Sequence, residues 1–131
     1  MSDNKKEHMA SIRLLLVDDE KAFVNVVAKR MSKRNIDVTQ ANSGTEALQA
    51  LRKADFDVVV LDLKMEDMNG IEVLKLLKKM DPDLCVVMLT GHGSEEAARE
   101  GIECGASDYL TKPCDFDELV DKIKTICKRT R

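Results

Sequence analysis

Three stretches of this chain are apolar without alternation: Leu14, Leu15, Leu16 and Val17; Val58, Val59, Val60 and Leu61; and Cys85 to Leu89. A strand with one wet face alternates polar and apolar residues, whereas a strand covered on both faces does not, so runs of this kind belong inside a parallel sheet with helices on either side. The first run spans 12–17 and is expected to be central. The intervening segments read as helices. Phe23, Val24, Val27 and Met31 recur at helical spacing and close near Lys33 and Arg34, whose charge suits a helix C-terminus. Val38 to Ala41 reads as a short second strand. Ser43 with Glu46 three residues on is a capping box, opening a helix that buries Ala47, Leu48 and Leu51. Gly70 opens a helix carrying Ile71, Leu74 and Leu77 that stops before Asp81 and Pro82. A fourth helix, roughly Ser94 to Gly101, offers the core Ala97, Ala98 and Ile102, far less apolar surface than its neighbours, so it is expected to be the most weakly anchored element. Tyr109 and Leu110 make a short fifth strand, and Asp115 caps a last helix with Phe116, Leu119, Val120, Ile123 and Cys127 on one face. Strands and helices in strict alternation predict an α/β fold, a five-stranded parallel sheet flanked by five helices, doubly wound with right-handed crossovers.

The chain's 131 residues leave room for one domain, which at this size buries about two-thirds of its unfolded surface. Hydrophobic residues make up 44% and charged residues 34%, an ordinary globular balance, and no apolar stretch approaches the roughly 20 residues of a membrane span. A net charge of −3, from 21 basic against 24 acidic residues, lacks the basic stripe that phosphate backbones demand, so direct nucleic-acid binding is not expected. The cysteines at 85, 104, 114 and 127 lack the paired spacing of a zinc site, and no apolar signal segment opens the chain, which together predict reduced thiols in a cytoplasmic protein. Cys85 and Cys114 read as small buried hydrophobes. Residues 1–11, polar and aperiodic, are expected to be disordered, 12–128 to form the domain, and 129–131 to be a basic tail.

The ends of the apolar runs carry the chemistry. The first runs into Asp18 and Asp19, the second into Asp62, the third stops at Thr90, and the short fifth strand stops at Thr111 and Lys112 before Pro113. Neighbouring parallel strands open their carboxyl ends on one edge of the sheet, where ligands of open α/β folds bind. That edge would gather three acids, a hydroxyl and an ammonium. Crowded carboxylates raise one another's pKa, so a cluster that stays ionised needs a cation, and all-oxygen ligation points to Mg²⁺. Plainer explanations exist for each part. Acids after a strand also favour the N-terminus of the following helix, which accounts for one acid better than for two beside Asp62. A lysine is usually just solvated, and only its place before Pro113 at a strand end sets Lys112 apart.

The motifs VDDE at 17–20, VVLDLKM at 59–65, Gly70, LTGHG at 89–93 and DYLTKP at 108–113, in that order, resemble the receiver domain of two-component response regulators. The likeness covers 12–127. It implies the flavodoxin-like form of the fold, with Asp62 as phosphoacceptor. Asp19 would bind Mg²⁺ directly, Asp18 through water, with Asp62 and the backbone carbonyl of Lys64 completing the protein ligands. Lys112 and Thr90 would contact phosphoryl oxygens, and Tyr109 would turn inward as Thr90 moves. His92 would tune hydrolysis of the phosphoryl group, although a loop histidine is more often simply solvated, and the Lys112–Pro113 peptide would be cis. The implied partner is a sensor histidine kinase or phosphotransfer protein. The face of the fourth helix, fifth strand and fifth helix would serve a homodimer or partner docking, and transcription would be among the outputs. The resemblance implies a phosphoacceptor with its own phosphorylation and dephosphorylation chemistry, not a turnover enzyme.

One departure stands out: the family commonly has proline four residues after the phosphoacceptor, and this chain has Glu66. A more mobile loop and slower phosphorylation are the expected consequences. Of the rival classes, a haloacid-dehalogenase-type phosphatase needs a second acid two residues after its nucleophile, where Lys64 stands. A flavin binder would want a glycine- or hydroxyl-rich phosphate loop after the first strand, where acids would repel phosphate. An interaction module that keeps the fold but signals without phosphate is the remaining alternative, with Asp62, Thr90 and Lys112 counting against it.

Overall fold

The three apolar runs lie side by side. In the computed structural model, which describes residues 11–91 and 94–130, β1 (Ile12–Val17), β3 (Val58–Asp62) and β4 (Cys85–Thr90) form the middle of one parallel sheet. Outside them sit β2 (Ile36–Ala41) and β5 (Asp108–Thr111), giving the order β2-β1-β3-β4-β5. The connecting helices are α1 (Lys21–Ser32), α2 (Gly44–Lys53), α3 (Gly70–Met80), α4 (Glu95–Glu103) and α5 (Phe116–Thr130). The last helix therefore runs on into the tail set off at 129. Of the 1–11 segment only Ser11 is among the described residues, and its hydroxyl donates to Asn35 Oδ1 at 3.1 Å.

Strand alternation sorts the apolar side chains between two cores. Leu14, Leu16, Val58, Val60, Val87 and Leu89 face α1 and α5, where they meet Val24, Met31, Leu119 and Ile123. Leu15, Val17, Val59, Leu61, Val86 and Met88 face α2 and α3, against Ala47, Val73, Leu74 and Leu77. Both faces of β1, β3 and β4 are thus dry, which is why their sequences do not alternate.

The second strand begins at Ile36, two residues before the predicted Val38. As an edge strand it is half-exposed: Ile36 and Ala41 are buried while Asp37, Thr39 and Gln40 face solvent. Asp37 breaks the apolar run without breaking the strand. The second correction concerns α4. Ala98 and Gly101 are buried and Ala97 partly so, but Ile102, expected in the core, is 42% exposed. α4 seats on its small residues; a Cβ at Gly101 would collide with the Met88 thioether. So close an approach turns Ile102 outward.

The N-terminus of α2 follows the predicted box with one shift. Ser43 Oγ accepts from Glu46 N–H at 3.1 Å, and the Glu46 carboxylate reaches back to the N–H of Asn42 at 3.0 Å, one residue before the cap. The Asp67 carboxylate adds bonds from the N–H groups of Gly44 and Thr45. Ser43→Ala is expected to cost about 1 kcal/mol in urea unfolding; Asp67 still satisfies neighbouring donors, so the helix survives. Among the described residues, no helix is long and apolar enough to cross a membrane.

Candidate functional site

The chain reverses its direction of winding between β1 and β3, and the carboxyl ends of these two strands frame the crevice where doubly wound sheets bind ligands. Asp18 follows β1, its N–H tied to the Ala41 carbonyl at 3.1 Å, and Asp62 is the last residue of β3. Both are buried at the bottom of the crevice. Thr90 ends β4 and is buried, and Lys112 follows β5, its N–H bonded to the Thr90 carbonyl. The Lys112–Pro113 peptide is cis.

From there the Lys112 ammonium meets the acids. Nζ lies 2.9 Å from Asp18 Oδ2, 3.1 Å from Glu20 Oε1 and 3.5 Å from Asp62 Oδ2. Burial disfavours the ammonium, but its hydrogen bond to Asp18, the charge of Asp62 and the bond to Glu20 outweigh that and raise its pKa. The Asp62 carboxyl is pushed up, first by burial and then by the charge of Asp18; the Lys64 N–H, which donates to Oδ1 at 3.0 Å, and the charge of Lys112 pull the other way. The carboxylate oxygens of Asp18, Glu20 and Asp62 can all be found within 4.8 Å of one another. A cleft of about 530 Å³ opens over Glu20, Asp62 and Lys112, lined also by Asp19, Glu66 and Gly91. Hard oxygen donors at such spacing, already balanced by one ammonium, fit a small divalent cation such as Mg²⁺.

Asp18, Asp62, Thr90 and Lys112, spread across the sequence, thus meet at one edge. Asp19 stands at the cleft wall, one oxygen accepting from the N–H of Glu66 at 3.2 Å. Lys64 and Asn69 form a bridge across the loop after β3. The Thr90 hydroxyl donates to the Leu110 carbonyl at 3.4 Å, and Tyr109 is 41% exposed on β5. His92 lies outside the described residues.

Two contributors escape a reading of the sequence. Glu20, third in the run of acids, joins the cluster through Lys112. Phe23, expected only in the core, holds its ring 4.6 Å from the Lys112 ammonium, a cation–π contact. The signal for Phe23 is its place in the first turn of α1, directly after the run of acids. Of the cysteines, Cys85 is buried and Cys114 half-buried against the α1–α5 core. Burial, with the charge of Glu118 adding to it, pushes the Cys114 thiol up, which keeps it protonated and unreactive.

A family model described as the response regulator receiver domain matches residues 14–124. The chain belongs to the response regulator receiver domain family. Transcriptional regulatory protein ZraR of Escherichia coli K12 is 38% identical over 109 residues, covering 83% of this chain and 25% of that protein. Transcriptional regulatory protein TrcR of Mycobacterium tuberculosis is 36% identical over 119 residues, covering 91% of this chain and 46% of the relative. The chain spans about a quarter to a half of the length of such curated relatives. Among solved structures, the Francisella response regulator 1452 receiver domain superposes with a TM-score of 0.86 at 35% identity, covering 92% of this chain and all of that one. A CheY-like receiver domain from Methanospirillum hungatei gives a TM-score of 0.88 at 28% identity over 92% of this chain and 97% of its own. This is a receiver domain of a two-component response regulator, and the relatives it resembles are transcriptional regulators.

Proposed function

We propose that the receiver domain accepts a phosphoryl group on Asp62 from a sensor histidine kinase or phosphotransfer protein, in the cytoplasm, and passes the signal on by a change of shape. The observation that carries this reading is the convergence of Asp18, Glu20 and Asp62 on the Lys112 ammonium within 3.5 Å. Of the three acids that meet Lys112, Asp62 lies farthest from the ammonium, which leaves its Oδ2 the most available of them to attack phosphorus. An oxygen of Asp62 forms a new P–O bond as the bond from phosphorus to the donor's imidazole nitrogen, or to the acetate of a small acyl phosphate, breaks. Asp18, Asp19, Asp62 and the carbonyl of Lys64 would hold Mg²⁺, which when bound neutralises charge on the transferring group. Lys112 balances the remaining negative charge, and Thr90 leaves Leu110 to donate to a phosphoryl oxygen.

Tyr109 then turns inward, shifting the population of the α4–β5–α5 face. That face carries exposed Ile102 and Tyr109, which suits it to a homodimer or an output partner. The chain acts in this reading as a phosphoacceptor that is consumed and reset, not as a turnover enzyme. His92 and Glu66 would modulate the lifetime of the phosphoryl group.

Intact-mass spectrometry after incubation with acetyl phosphate and Mg²⁺ tests the reading. The protein is expected to gain one phosphoryl group, and to gain none when chelator is added first. No gain in Mg²⁺ would leave the phosphate-independent interaction module as the better account.

A further inference from the structure

The three aspartates of the site, Asp18, Asp19 and Asp62, each have one oxygen held by a main-chain N–H. Asp18 Oδ1 accepts from Glu20 at 3.0 Å, Asp62 Oδ1 from Lys64 at 3.0 Å, and Asp19 Oδ2 from Glu66 at 3.2 Å. The first two bonds are local, spanning two residues. The third joins segments 47 residues apart, and a proline at 66 could not make it, having no N–H. The side chain of Glu66 is exposed, and the contact that ties this residue to Asp19 is made by its backbone.

We infer that the Glu66 N–H is a positioning group of the phosphoacceptor site, fixing the Asp19 carboxylate to the loop that leaves Asp62. The inference rests on the role proposed for Asp19 as a metal ligand and adds to it a purpose for the main chain at 66. A carboxylate on a loop has several rotamers, and Mg²⁺ tolerates little departure from octahedral geometry. With Oδ2 engaged, Asp19 keeps a single orientation and offers its other oxygen to the cation. The loop is anchored well enough to impose this. The Asp67 carboxylate accepts from Gly44 at 3.1 Å and Thr45 at 3.3 Å, bolting the next residue to the first turn of α2, and the Lys64–Asn69 bridge closes the loop at its base. Where a pyrrolidine ring would stiffen the loop by restricting φ, this chain uses hydrogen bonds to α2 and to Asp19 itself.

Titration with Mg²⁺ followed by backbone amide shifts, on wild type, Glu66→Pro and Glu66→Gln, separates the main chain from the side chain. Glu66→Pro is expected to weaken Mg²⁺ binding about tenfold, the lower end of what a partner orienting a metal ligand contributes. Glu66→Gln keeps the N–H and is expected to stay within about twofold of wild type, since only a screened, exposed charge is lost. Equal affinity in the proline variant and wild type overturns the inference, and so does equal weakening in both variants. A second measurement needs no metal and no change at 66: the Glu66 amide should exchange with solvent faster in Asp19→Ala than in wild type, and equal rates overturn the assignment. A wild type that binds no Mg²⁺ at millimolar concentration removes Asp19 as a ligand before any variant is compared, which distinguishes failure of the underlying reading from failure of this one.

Discussion

Asp62→Asn protein incubated with acetyl phosphate and Mg²⁺ is expected to keep its original mass, while wild type is expected to gain one phosphoryl group. An amide has no anionic oxygen with which to attack phosphorus, and the neighbouring acids are poorly placed to substitute. Asp18 has one oxygen on the Glu20 N–H and the other 2.9 Å from Lys112, and Asp19 is tied to Glu66. A full-size gain in the variant would move the acceptor to one of these acids. The same variant carries a stability signature. Burial and the charge of Asp18 raise the Asp62 pKa in the folded protein, so at neutral pH the ionised carboxylate works against the fold. That penalty is fully present above the folded pKa and disappears as pH falls toward the ordinary carboxylate value of about 3.9. In metal-free buffer Asp62→Asn is therefore expected to unfold at higher urea concentration than wild type at pH 7, with the gap closing in acid. Lys112 retains Asp18 and Glu20 as partners, so the substitution leaves no ammonium unpaired.

Gly70→Ala is expected to destabilise the domain by about 3 kcal/mol, the upper part of the range for overfilling a packed site, and to weaken Mg²⁺ binding as well. A Cβ on Gly70 would fall on the main chain of Leu63, against its Cα, with the carbonyl oxygen at 2.7 Å and the carbonyl carbon at 2.8 Å. Backbone cannot swing aside as a side-chain tip can. Leu63 is also fixed from both sides, its N–H bonded to the Leu89 carbonyl at 3.1 Å and its own carbonyl accepting from Gly70 at 3.2 Å. Any retreat displaces the segment that joins Asp62 to Lys64, the proposed ligands. Gly91→Ala is the control: its nearest neighbour is Ser94 Oγ at 3.9 Å, so little stability should be lost. Urea unfolding of the two variants together separates a steric cause from a general intolerance of alanine in these loops.

How much of this was legible beforehand depends on where each element sits. β1, β3 and β4 are dry on both faces and announce themselves as unbroken apolar runs, and the acids at their ends follow from parallel pairing alone. β2 announces itself less well because an edge strand admits Asp37 at a wet position, so its true start at Ile36 is masked. Ile102 misleads for the opposite reason. Its spacing suits the core, but α4 packs through Ala98 and Gly101, and no period of apolar residues reports how closely two backbones approach. Glu20 and Phe23 acquire their roles only when Lys112, about ninety positions further along the chain, arrives between them. The Glu66 N–H was beyond reach because main-chain donors are identical at every residue but proline, and only the folded loop aims this one at Asp19.

The resting place of the Thr90 hydroxyl has a consequence of its own. It sits on the Leu110 carbonyl by a hydrogen bond of 3.4 Å, close to the longest separation at which such bonds count. Leaving that acceptor forfeits little, whereas a dianionic phosphoryl group would offer a short, charge-assisted partner. Under the proposed mechanism the latch on the unphosphorylated form is thus weak, and one covalent event would trip the domain without first overcoming a deep well.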